Sequence, residues 1–166
     1  MLEYDANQPA TLAAVLAAHP GELAAVILAP EMVRPLQPAV FAELQRLTRA
    51  HGALFIMDEV KTALRIRPNS ISELVGLTPD LLTVSKALGN GFAVAALLGR
   101  GVVMAAGDGM HYSATFHGDT AAMAAARKTL ELIDAHSVQE HVHTLGERLI
   151  HGLAALAGAH RRPAQA

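Results

Sequence analysis

Short apolar runs with no polar alternation, separated by stretches of helical period, constrain this chain most. LAAVILA (residues 23–29), ALFIM (53–57) and LLTV (81–84) are such runs, and AVAALLG (93–99) is a weaker, alanine-rich fourth. A strand that is apolar on both faces belongs in a parallel sheet covered on both sides, with helices as the crossovers. The intervening segments supply helices. Residues 11–19 read as an Ala-rich helix stopped by Pro20-Gly21. Leu36, Val40, Leu44 and Leu47 form one apolar stripe that Gly52 terminates. From about Thr120 the chain reads as helix, first over residues 121–134 and then through Val138, Val142, Leu145 and Leu149. The C-terminal GAHRRPAQA is expected to fray. The fold class is α/β, with a mostly parallel sheet flanked by helices.

Composition narrows the function. With 52% hydrophobic residues and a net charge of −2, the 166-residue chain is not a disordered tail. It has no cysteine, which excludes a disulfide-stapled module, and its near-neutral charge gives no case for nucleic acid or an acidic membrane. Arg100 and Asp108 interrupt the most apolar region, so no membrane span is expected. MLEYDANQPA lacks a signal-peptide pattern, and the expected location is cytoplasmic. The nine histidines do not suggest a metal: His141 and His143 fall on different faces of their helix, and His136 and His143 lack a third ligand. Gly89-Asn90-Gly91 lacks the spacing of a dinucleotide fingerprint.

Ligands of an open parallel sheet sit beyond the carboxyl ends of its strands. Asp58 follows ALFIM directly and Lys86 follows LLTV within two residues, so both should face one edge. One reading is a structural ion pair. The other is pyridoxal phosphate chemistry: a desolvated lysine amine forms a Schiff base with an aldehyde, and a carboxylate keeps the pyridine nitrogen protonated. The phosphate would need backbone N–H groups and hydroxyls, which SKALGNG (85–91) and SATFHG (113–118) offer. His111 and His117 flank the second of these turns.

FIMDEVKTALR, PDLLTVSKALGNGF and SATFHGDTAAMAAA, in this order, resemble the class III pyridoxal-phosphate-dependent aminotransferases of the aspartate-aminotransferase fold (fold type I). The branch containing glutamate-1-semialdehyde aminomutase is the most similar. The resemblance spans residues 4–153 and implies amino-group transfer on a small amine or amino-acid substrate, in a homodimer. It implies that Lys86 forms the internal aldimine and later moves the proton. Asp58 becomes the pyridinium partner, Val60 the apolar residue packed on one ring face, and Thr115 the residue reaching the phosphate across the dimer interface. Glu59 and Ser85 become supporting groups. Ala63 stands where the family usually has Gly, which requires a negative φ there. Ala29-Pro30 replaces a common Glu-Pro, and Ala93 stands where Pro is frequent.

Members of that family are more than twice as long. Residues 1–135 then correspond to the central and C-terminal part of the cofactor-binding large domain, and 136–166 to the start of the small C-terminal domain. The upstream phosphate loop and the stacking aromatic do not occur in this chain. The expectation is a fragment or truncated product, with an exposed apolar sheet edge. The alternative is a catalytically incompetent remnant acting only as a dimerisation or scaffold module. Aminomutases, racemases and decarboxylases share the lysine–aspartate core, so the substrate stays open.

Overall fold

A computed structural model describes residues 1–31, 36–66 and 70–159. The elements are α1 (Pro9–Ala18), β1 (Ala25–Leu28), α2 (Pro38–Ala50), β2 (Leu54–Asp58) and α3 (Ile71–Leu74). They continue as β3 (Leu81–Val84), a 3-10 turn (Lys86–Leu88), β4 (Ala96–Gly99), α4 (Gly101–Ala105), α5 (Thr120–Ala135) and α6 (Val138–Ala159). The frayed tail expected at the C-terminus lies, from residue 160, outside the described residues.

The four strands stand in chain order, β1-β2-β3-β4. Register pairs Val26 with Phe55, Met57 with Leu82 and Asp58 with Thr83, all parallel. β4 returns antiparallel, with Thr83 opposite Leu97. The 11 residues between β3 and β4 hold only one short turn and make no crossover helix, so the reversal is what the chain can reach.

One face of the sheet carries the core. Val26, Leu28, Phe55 and Met57 meet Leu12 and Leu16 of α1 and Phe41 and Leu44 of α2. The α2 stripe behaves as its spacing requires, since Leu36, Val40 and Leu47 pack on the same cluster. Leu44, Phe55 and Met57 are fully buried, each contributing about 1.5–3 kcal/mol relative to exposure. A second cluster joins Val84, Leu88, Ala63 and Ala126 of α5, which fixes the turn after β3.

The expectation of a fully buried β1 is corrected. Its residues alternate between exposed and buried, and Ile27 is 55% exposed. α1 and α2 cover the Val26 face, whereas the face shared by Ile27, Ile56, Asp58, Thr83 and Leu97 stays partly open. An apolar run says that both faces avoid water, not which chain segment covers each one. The same applies to α6, whose Val142, Leu145, Leu149 and Leu153 keep their helical spacing yet are exposed.

Candidate active site

β2 and β3 end side by side, and this delivers the acid and the lysine. Asp58 closes β2 and is paired with Thr83; Lys86 lies three residues past Thr83. The Asp58 carboxylate is held on one oxygen. Oδ1 accepts from the Val60 backbone N–H at 3.1 Å and from the Thr83 hydroxyl at 3.0 Å. Among the described residues no hydrogen bond falls on Oδ2, which is the oxygen open to a further donor.

Lys86 opens the 3-10 turn with φ of +40°, a left-handed conformation that lysine rarely adopts. Such geometry costs on the order of 1–3 kcal/mol and persists only where its surroundings fix it. Here they do. The Leu88 N–H donates to the Ser85 carbonyl at 2.9 Å, the Asn90 N–H to the Lys86 carbonyl at 3.1 Å, and the Ser85 hydroxyl to the Val94 carbonyl at 2.7 Å. Gly89 belongs to the same construction: a Cβ there would collide with the Phe92 carbonyl and lie 2.6 Å from Val94 Cγ1. Of the three lysines, Lys61 pairs with Glu31 at 3.6 Å and Lys128 with Glu131 at 3.3 Å. Lys86 is exposed and forms no ion pair among the described residues. The structural Asp58–Lys86 ion pair is therefore not what the structure contains.

Val60 follows Asp58 in the turn after β2 and is half-buried. Ala63 takes no positive φ, as alanine requires; the left-handed residue is Leu64, at +64°. Gln139 of α6 donates to the Leu64 carbonyl at 2.9 Å and pins that turn. Thr115 is exposed and lines a cavity of about 590 Å³ with Ser85, Val94, His117 and Ala122. Asp58, Val60 and Lys86 are not among the residues lining it. The structure thus brings Asp58, Val60 and Lys86 to one sheet edge, and Thr115 lines a cavity with Ser85, the residue before Lys86. Tyr112 stacks edge-on against His117, with ring centres 6.0 Å apart.

Three supporting groups carry more than the sequence showed. Glu59 is fully buried: Oε2 accepts from Ile71 N–H at 2.6 Å and Thr62 Oγ1 at 3.3 Å, and Oε1 from Ser72 N–H at 2.8 Å and Ser72 Oγ at 2.7 Å. It ties the start of α3 to the end of β2. Asp80, 2% exposed, accepts from the Phe55 N–H and from Arg100 at 2.9 Å each, with Arg49 at 3.5 Å. Burial pushes its pKa up, but the Phe55 N–H, Arg100 and Arg49 together outweigh this and hold it below the ordinary aspartate value. Thr83 is the third. Its signal was a hydroxyl inside the otherwise apolar run LLTV.

The residues present fit pyridoxal phosphate at its ring and aldehyde ends: an anchored carboxylate with one oxygen open and, on the adjacent strand end, a lysine in no ion pair among the described residues; its exposure corrects the desolvated site expected from the sequence. Thr115 presents an exposed hydroxyl in the cavity it shares with Ser85.

Comparison with known proteins agrees. Residues 3–165 match the family model described as aminotransferase class-III. A glutamate-1-semialdehyde 2,1-aminomutase of Neisseria gonorrhoeae is 39% identical over 93% of this chain and 38% of its own length. A 2'-deamino-2'-hydroxyneamine transaminase of Streptomyces kanamyceticus is 33% identical over 87% of this chain and 37% of its own. The chain spans about 38% of the length of the curated relatives it matches. Among solved structures, the Sphingopyxis sp. MTA144 FumI protein in its PLP internal aldimine form superposes with a TM-score of 0.88 at 27% identity. That match covers 96% of this chain and 40% of the FumI chain. A β-phenylalanine aminotransferase from Variovorax paradoxus, 32% identical, gives 0.62 over 70% of this chain and 28% of its own.

Proposed function

The chain belongs to the class-III aminotransferase family, and from that premise we propose that it carries the lysine–aspartate core of a pyridoxal-phosphate-dependent amino-group transfer. The observation that carries the reading is the Asp58–Thr83 register with Lys86 three residues beyond it. The cofactor, when bound, supplies an aldehyde to hold the amino group and an electron-withdrawing ring. Lys86 Nζ would hold the cofactor at its aldehyde end and would serve as the base for the proton on the substrate carbon. Asp58 Oδ2 would accept a hydrogen bond from the ring nitrogen and so keep it protonated, and Val60 would pack on one ring face. Thr115, whose cavity lining does not include Asp58, is suited to the phosphate of a partner's site. That arrangement supports a homodimer.

The substrate is a small amine or amino acid with a carbonyl acceptor. Both aminomutase and transaminase relatives are similar to the chain, so either outcome fits the core. Residues 1–135 belong to the cofactor-binding unit and 136–166 to the start of a second one. Among the described residues no helix is long and apolar enough to cross a membrane. A second reading, an assembly module without chemistry, is favoured by the exposed Ile27, Leu97, Leu149 and Leu153.

Titration of the chain with pyridoxal phosphate separates the two. The first reading predicts a saturable visible absorbance band that Lys86→Ala abolishes and Lys61→Ala leaves intact. An assembly module gives no band, and the first reading then fails.

A further inference from the structure

We propose that Thr83 is a positioning residue for the cofactor's ring nitrogen, acting through Asp58; this rests on the pyridoxal phosphate reading of the site. The placement follows from the sheet. Thr83 and Asp58 are register partners in adjacent parallel strands, so their side chains leave the same face. The Thr83 hydroxyl donates to Asp58 Oδ1 at 3.0 Å, and the Val60 N–H donates to the same oxygen at 3.1 Å.

A carboxylate held by one donor can still turn about its Cβ–Cγ bond, which for aspartate is a broad torsion. Two donors on the same oxygen, from different elements, remove that freedom and leave Oδ2 as the acceptor for a ligand. One donor belongs to the turn carrying Val60, so the ring-packing residue and the carboxylate are set by the same contact. The other belongs to β3, the strand that delivers Lys86. Thr83 therefore couples the acid to the strand that carries the lysine. A structural hydroxyl in a half-buried strand has simpler uses, such as bonding its own backbone. This one instead spans 25 residues to the carboxylate.

Thr83→Val and Thr83→Ser distinguish positioning from packing. Valine keeps the β-branch and suits a strand, so the fold persists while the donor is lost. Serine keeps the donor and loses the methyl. Two readouts are needed: the dissociation constant of pyridoxal phosphate from its visible band, and the Asp58 Cγ resonance of the cofactor-free chain by carbon NMR. The proposal expects Thr83→Val to weaken cofactor binding about tenfold or more, the size of a hydrogen bond to a charged group. It also expects the Asp58 resonance to move in that variant and both properties to return in Thr83→Ser. Wild-type affinity or an unmoved resonance in Thr83→Val overturns it. So does Thr83→Ser behaving like Thr83→Val, which assigns the effect to the methyl. If the wild-type chain gives no band, the cofactor reading falls, and with it the ring-nitrogen role; the resonance then still decides whether Thr83 clamps Asp58.

Discussion

Replacing Glu59 by Gln tests whether the end of β2 is anchored through a buried carboxylate. The geometry fixes the size of the effect. Each Glu59 oxygen accepts one backbone N–H and one hydroxyl: Oε1 those of Ser72, Oε2 the Ile71 N–H and the Thr62 hydroxyl. A glutamine has one acceptor oxygen, and the hydroxyls can rotate to accept from its NH₂ group. The backbone donors cannot rotate. Whichever way the amide sits, one of the Ile71 and Ser72 N–H groups faces another donor in a site with no solvent access. One unsatisfied buried donor costs about 1–3 kcal/mol. Glu59→Ala leaves both donors without an acceptor, about 2–6 kcal/mol on the same basis. Urea unfolding reads this directly: with m of about 1–3 kcal/mol/M, Glu59→Gln lowers the midpoint by about 1 M at unchanged m. Hydrogen exchange locates it, since the Ile71 and Ser72 amides should be the ones that speed up. A Glu59→Gln chain with the wild-type midpoint and slow exchange at both amides refutes the anchoring.

Other consequences follow from the same contacts. Gly89→Ala should lower stability by about 1–3 kcal/mol in urea titration, because its Cβ meets the Phe92 carbonyl and Val94 Cγ1. It should also weaken cofactor uptake, since the Lys86 turn shifts. Asp80 gives a pH dependence whose sign is set by its depressed pKa. Its ionised form stabilises the fold fully above the unfolded aspartate value of about 3.9, and the contribution is lost as pH falls through the lower folded value. Wild type should therefore exceed Asp80→Asn in unfolding free energy at pH 7, with the gap closing in strong acid. Leu149→Gln and Leu153→Gln, both on the exposed face of α6, should each change the unfolding free energy by less than about 0.5 kcal/mol.

Much of the site was legible because it depends on strand ends. A buried run that stops abruptly at an acid, ALFIM before Asp58, marks its own carboxyl end, and LLTV before Ser85-Lys86 does the same. The stripe of α2 was equally plain, since helical spacing alone decides which residues face the sheet. The rest depends on partners far along the chain. Nothing about Glu59 announces that it caps a four-residue helix 12 residues later, nor that Thr83 reaches Asp58 across two strands. The left-handed Lys86 was hidden for a different reason. Sequence signals for positive φ come from glycine and asparagine, and here a lysine is held there by its neighbours. The open face of the sheet and the reversal of β4 were also hidden, because apolar runs carry no record of direction or of what covers them.

The central claim is that Lys86, and not the other two lysines, is chemically paired with the Asp58 edge. Incubating the chain with pyridoxal phosphate, reducing with borohydride and mapping peptides by mass spectrometry tests it directly. The account predicts the cofactor's mass on the peptide carrying Lys86, with Lys61 and Lys128 unlabelled at limiting cofactor. Equal labelling of all three lysines, or no label on Lys86, would contradict it.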